Sequence, residues 1–186
     1  MTDKASLRLA VKERLARMTE NDRRVESQVI VRELLKLLAN AKLISVYIPY
    51  ADEPNIAPLI TELLTQKKVI CLPKAGVHGM KMYQIKSLEE VVRNATTNIP
   101  EPPEGAKEID ETKIDAVLVP GRAFTEKGIR LGRGNGGYDR WIFEQRKRNT
   151  ATKMFGLCFD SQIVQEIPVE EHDQTVDTVI TSSHIY

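Results

Sequence analysis

Three consecutive stretches, KLISVYIPY at 42–50, IAPLITELLTQ at 56–66 and KKVICLP at 67–73, do most to limit what this chain can fold into. The outer two are short apolar runs rich in β-branched and aromatic residues, each stopping at a proline, as buried strands do. The middle one repeats its apolar residues at helical spacing. A strand, a helix and a strand in that order make a parallel pair with a crossover, so an α/β sheet follows. IDAVLVPG at 114–121, TKMFGLCFD at 152–160 and TVDTVIT at 175–181 read as further buried strands, and GYDRWIFEQRKR at 137–148 as a helix. MKMYQI at 80–85 alternates polar and apolar residues, which predicts an edge strand.

Two helices precede the sheet. Leu7, Val11, Leu15 and Met18 form one apolar stripe, and TEND at 19–22 offers Thr19 as an N-cap with Asp22 three residues on. The proline-rich stretch 94–111 is expected to be an irregular surface excursion. The expected architecture is one three-layer α/β/α domain over residues 1–186, with a mostly parallel sheet and an N-terminal helical pair.

Composition narrows the function. With 27 Lys and Arg against 26 Asp and Glu, the formal net charge is +1, too small for the global field that non-specific nucleic-acid binding uses. The N-terminus lacks the apolar core of a signal peptide and no run is long enough to cross a membrane, so a cytoplasmic protein is expected, without nucleic-acid or membrane partners. Cys71 and Cys158 lie in apolar strand-like runs and read as buried free thiols.

Chemistry concentrates in RLGRGNGGYDRW at 130–141. Glycines at a strand-to-helix junction let backbone N–H groups turn toward an anion, and arginines add charge-assisted hydrogen bonds. Taken alone, the loop reads equally as a phosphate cradle or as a long turn that needs positive φ. Asp139 reads equally as a complement to the helix N-terminus or as a carboxylate sharing a divalent cation with phosphate. Lys4, Arg8 and Lys12 form a basic face opposite the apolar stripe, which without other information is a solvated face. Glu53 places a carboxylate just after the first strand, where open α/β sheets bind ligands. His172 in EEHD is not read as a ligand, and neither His78 nor His184 shows metal-ligand spacing with it.

The block VPGRAFTEKGIRLGRGNGGYDRW at 119–141 resembles the signature region of the 5-formyltetrahydrofolate cyclo-ligase family. Lys4 and Arg8, Glu53 and the closing IPVEEHDQTVDTVIT continue that resemblance over most of the chain. The resemblance implies conversion of 5-formyltetrahydrofolate to 5,10-methenyltetrahydrofolate, with ATP as co-substrate and Mg²⁺ as cofactor. It implies that Lys4, Arg8 and the loop Arg130, Leu131, Gly132, Arg133, Gly134, Asn135, Gly136, Gly137 and Tyr138 hold ATP, with Arg133 acting on the transition state. Residues Arg133 to Gly137 would also face the formyl group, Ile48 and Glu53 would contact the folate, and Asp139 and Asp173 would hold the metal. The expected protein is a monomer working on ATP and a reduced folate.

The chain departs from the family pattern at Gly137, where a tyrosine is expected, at Asn135, and in PNI after Glu53. These changes touch the folate side more than the nucleotide side. They keep open a diverged ATP-dependent relative acting on another formyl or amide substrate. A non-catalytic nucleotide- or RNA-binding module using the basic N-terminal helix and RKR at 146–148 is the alternative from another class.

Overall fold

The computed structural model describes residues 3–77 and 79–186; His78 lies outside the described residues. Helices α1 (Lys4–Ala16) and α2 (Glu20–Leu37) come first. Asp3 caps α1, and Thr19 caps α2 through a full capping box in which its hydroxyl accepts the Asp22 N–H and the Asp22 carboxylate accepts the Thr19 N–H. Strand β1 (Leu43–Ser45), helix α3 (Ala57–Thr65) and strand β2 (Val69–Gly76) form the crossover unit. β3 (Gly79–Ile85) returns antiparallel to β2 as the sheet edge. Two short pairs follow in chain order: β4 (Val92–Arg93) with β5 (Pro100–Glu101), and, beyond β6 (Ala116–Pro120), β7 (Ala123–Phe124) with β8 (Arg130–Leu131). Helix α4 (Gly137–Arg148), β9 (Lys153–Leu157) and β10 (Thr178–Ile180) complete the chain.

The main sheet runs β10-β9-β6-β1-β2-β3, and every pair except β2 with β3 is parallel. One face is covered by α2 and α3, whose Ile30, Leu34, Leu59 and Leu63 pack with Ile44, Ile70 and Leu118. The other face carries α4, whose Trp141 and Ile142 pack with Val117, Val119, Met154 and Val179. These are the three layers expected of the α/β fold. The N-terminal helices do not share a cluster: α1 packs its Leu7, Val11 and Leu15 with Ala123, Leu131 and Phe159. It therefore sits over the end of the sheet, beside the glycine loop.

Two expectations need adjustment. The first strand pairs only through Ser45, with Val46 N–H adding one bond to Cys71 carbonyl; Tyr47 to Tyr50 then leave the ladder and pass over the sheet edge. Pro49 has no N–H for a ladder in any case. The proline-rich stretch is not wholly irregular. Pro100–Glu101 pair with Val92–Arg93, and Gln84 and Ile109 N–H groups tie residues 107–109 alongside β3.

The Val-Pro-Gly turn after β6 has a packing cause. A β-carbon on Gly121 would stand 2.6 Å from the Phe124 ring, and one on Gly156 of β9 would stand 2.5 Å from the same ring. Phe124 is fully buried between these two backbones, which brings the β7–β8 pair down onto the strand ends.

Candidate active site at the carboxyl edge of the sheet

A cavity of about 610 Å³ opens where β1, β2 and β6 end, and nearly every residue singled out from the sequence lines it. Lys4, Arg8, Ile48, Glu53, residues 130–136, Tyr138, Asp139 and Asp173 all face it, although they come from four separate stretches of chain. Gly137 does not. Residues the sequence reading missed add an apolar part: Tyr47, Leu72, Pro73, Ile99 and Pro100. Ile99 and Pro100 bring the short β4–β5 pair to the cavity wall, which makes the proline-rich excursion part of the site.

The loop has the backbone an anion needs. Gly134 and Gly136 have φ of 110° and 62°, conformations that side chains disfavour, and Gly136 is the left-handed N-cap of α4. The N–H groups of residues 133–136 have no hydrogen-bond acceptor among the described residues, and they sit at the positive end of α4. Asn135 Oδ1 accepts the Gly137 N–H at 3.3 Å, which braces the turn. Arg8 Nε donates to Gly132 carbonyl at 2.9 Å, so α1 and the loop are fastened together.

Arg130 behaves differently from the other loop cations. Its guanidinium is buried, donates from Nη2 to Asp139 Oδ1 at 2.8 Å and from Nη1 to Pro120 carbonyl at 3.3 Å, and leans over the Tyr138 ring. It holds the loop's base to the first turn of α4. Burial pushes the Tyr138 hydroxyl well up, so it stays neutral, and the buried Tyr47 hydroxyl, raised by burial and then by the Glu53 charge, does the same.

Arg133 spans the site. Its Nη2 donates to Glu53 Oε1 at 2.6 Å and to Asp52 Oδ1 at 3.0 Å, and its guanidinium lies 4.3 Å from the Tyr50 ring centroid. Glu53 is buried, and its second oxygen accepts the Tyr50 N–H at 3.0 Å. Asp52 also pairs with Arg122. Burial first, and then the charges of Arg133 and Arg8, depress the Arg122 guanidinium, which marks a crowded cationic corner. Tyr50 and Asp52 were absent from the sequence reading; the only local signal was that Asp52 directly precedes Glu53.

Asp139 and Asp173 come together near the glycine loop, since the N–H of Gln174, next to Asp173, donates to Asp139 Oδ1 at 3.2 Å. Lys4 Nζ lies 2.7 Å from Asp173 Oδ2, which also accepts the Glu170 N–H. Each carboxylate keeps one oxygen, Asp139 Oδ2 and Asp173 Oδ1, without a hydrogen-bond donor among the described residues. Two such carboxylates beside a phosphate cradle fit Mg²⁺, which is commonly held by one or two acids plus substrate phosphates. Among the described residues no group of three or more His, Cys, Asp or Glu side chains is placed to hold a metal by itself.

The sequence model of the 5-formyltetrahydrofolate cyclo-ligase family matches residues 1–182. The chain belongs to this family. The cyclo-ligase of Mus musculus is 29% identical over 95% of this chain and 92% of its own length, and that of Escherichia coli K12 is 32% identical over 78% and 81%. Among solved structures, 5,10-methenyltetrahydrofolate synthetase of Aquifex aeolicus superposes with a TM-score of 0.82 at 29% identity, covering 98% of this chain and 91% of that one. The Mycoplasma pneumoniae synthetase, at 19% identity and a TM-score of 0.76, shares the fold. The six-stranded, mostly parallel sheet described above is therefore the cyclo-ligase fold, and the family's signature block is the loop that closes its cavity.

Proposed function

We propose that this chain converts 5-formyltetrahydrofolate to 5,10-methenyltetrahydrofolate at the expense of ATP, releasing ADP and phosphate. One observation carries the reading: a single cavity joins an anion cradle to a buried carboxylate, Glu53, through one arginine that touches both ends, Arg133. Family membership supports the substrate class, and the placement of the residues around one cavity supports the division of labour that follows.

Lys4, Arg8 and the N–H groups of residues 133–136 hold the nucleotide's phosphates. Glu53 accepts hydrogen bonds from the N–H edge of the pterin, and Ile48 packs on the ring. The formyl oxygen, made nucleophilic by the lone pair on N5, attacks the γ-phosphorus as the bond to the ADP oxygen breaks. N10 then attacks the activated formyl carbon, and phosphate departs with the former formyl oxygen as the ring closes and the N10 proton is lost. Phosphorylation turns a poor amide-like leaving group into a good one. Arg133 stabilises the charge spread over the transferring phosphoryl group, a task of positioning and electrostatics. Asp139 and Asp173 would hold Mg²⁺, which neutralises phosphate charge when bound.

We read the enzyme as a cytoplasmic monomer acting on small molecules. No helix among the described residues is long and apolar enough to cross a membrane. One of the two basic features of the RNA-binding alternative is weakened: Arg146 pairs with Asp177, Lys147 with Glu144 and Arg148 with Glu111. The test is to mix protein, 5-formyltetrahydrofolate, ATP and Mg²⁺ and follow the absorbance of the methenyl product. Product formation supports the reading. Nucleotide binding without product would transfer the chain to the diverged-relative class.

A further inference from the structure

Arg133 is the residue asked to do most in the proposed reaction, yet its backbone does little to aim it. It stands between Gly132 and Gly134, with Gly134 at a φ of 110°, in a loop where the N–H groups of residues 133–136 have no acceptor among the described residues. Side-chain contacts must therefore set where its guanidinium points. Three do so: Glu53, Asp52 and the face of Tyr50. Glu53 cannot serve throughout, because its other oxygen already accepts the Tyr50 N–H, so the substrate's N–H edge would take the oxygen that Arg133 occupies. When that exchange happens, Asp52 is the remaining charged anchor.

Asp52 is built for this. It does not line the cavity, and neither does its second partner, Arg122. Arg122 is fixed in turn: its N–H donates to Leu131 carbonyl at 2.7 Å, and its own carbonyl accepts from Gln162 Nε2 at 2.9 Å, a side chain that is itself buried. A chain of contacts thus runs from the buried Gln162 through Arg122 and Asp52 to Arg133 at the cavity wall. A single carboxylate shared by two guanidinium groups also offsets their mutual repulsion.

We infer that Asp52 is a positioning residue for the phosphoryl-transfer step, holding Arg133 in place from outside the cavity after Glu53 has turned to the substrate. The inference rests on the activity proposed above for the same cleft. It extends that reading by naming a residue that touches neither substrate but sets the geometry of one that does.

The experiment compares Asp52→Asn and Asp52→Glu with the wild-type chain by two readouts. Turnover is followed as methenyl product, giving kcat and both KM values. Labelling of individual arginines by phenylglyoxal is followed by mass spectrometry without any substrate. Asp52→Asn should lower kcat by about 10- to 100-fold while KM for either substrate moves less than about threefold, since a misplaced group costs rate rather than uniform binding. Asp52→Glu, which keeps the charge, should recover much of the rate. Arg122 and Arg133 should both label faster in Asp52→Asn. The inference is overturned if kcat of Asp52→Asn stays within about twofold of wild type, if the loss falls on KM and thermal stability with no recovery in Asp52→Glu, or if labelling does not change. If the wild-type chain forms no product, the proposed activity fails, and the labelling alone then decides whether Asp52 holds the two arginines.

Discussion

Arg130 and Asp139 form a buried ion pair, Nη2 to Oδ1 at 2.8 Å, that fastens the end of β8 to the first turn of α4. With side chains only 4% and 11% exposed, each charge depends on the other for compensation. The loop between them is consequently an arch with fixed feet, and its free N–H groups point where the arch dictates. Replacing Arg130 by Met keeps most of the bulk and strands the Asp139 charge. Loss of one partner from a buried pair costs about 3–5 kcal/mol, so Arg130→Met should lower unfolding free energy by about that amount in urea titrations. An effect below about 1 kcal/mol would mean that the pair is solvated.

The same arch rests on Phe124. An added methyl at Gly156 would meet that ring at 2.5 Å, and at Gly121 at 2.6 Å, with no free volume around a fully buried ring to absorb either. Gly121→Ala and Gly156→Ala should each cost about 1–3 kcal/mol through overpacking, read as a lower midpoint at unchanged m-value. Because both act on one ring, the double variant should cost less than the sum of the singles.

Much of this was legible in the sequence. Apolar periodicity and the Thr19–Asp22 box place the helices and strands, and the glycine run marks the loop that lines the cavity at a strand end. What was not legible depends on contacts between distant residues. The β7 and β8 strands are two residues each, too short to carry a period. Asp52 meets Arg122 across 70 positions and Arg133 across 81, and nothing local announces either partner. Arg130 reads like any other loop arginine until the fold buries it against Asp139. Sequence thus names the residue types of the site, whereas the fold decides which cation is buried in a structural pair and which line the cavity at its surface.

Asp173 and Lys4 make a link whose pH window follows from their shifts. Burial favours the neutral acid at Asp173, but hydrogen bonds from Lys4 and the Glu170 N–H outweigh it, so the folded carboxyl titrates below its ordinary 3.8. Burial also opposes the charge on Lys4, and its bonds to Asp173 and Glu170 again outweigh it, so the folded amine titrates above 10.5. A depressed acid adds stability above its unfolded pKa, lost as pH falls through the folded one; a raised base adds stability below its unfolded pKa, lost as pH rises through the folded one. Asp173→Asn should therefore sit about 1 kcal/mol below wild type across neutral pH, and the gap should close on acidification below 3.8. Thermal unfolding at a series of pH values checks this. The variant should also need about tenfold more Mg²⁺ for half-maximal turnover; an unchanged requirement would remove Asp173 from the metal site.

Gly137 stands where the family resemblance leads to the expectation of a tyrosine, and the structure shows that nothing local requires glycine there. It is the first residue of α4, its φ is not positive, and a β-carbon there would find only Asn135 Oδ1, at 3.7 Å. Neither backbone strain nor a clash therefore requires glycine, and a side chain would reduce the entropy lost on folding. Gly137→Tyr should fold with stability equal to wild type or up to about 1 kcal/mol higher. Asn135 and Tyr138 beside it line the cavity, so an aromatic ring at 137 has a short reach to the cavity wall, where the proposed function sets the formyl group. Aromatic packing contributes about 0.5–1.5 kcal/mol, which predicts a fall of about 2- to 12-fold in KM for 5-formyltetrahydrofolate with KM for ATP unchanged. Steady-state kinetics with each substrate varied in turn gives both values. A fall in both would place the ring over the phosphate cradle, and no change in either would show that Tyr50, already stacked on Arg133, does the work of the missing aromatic.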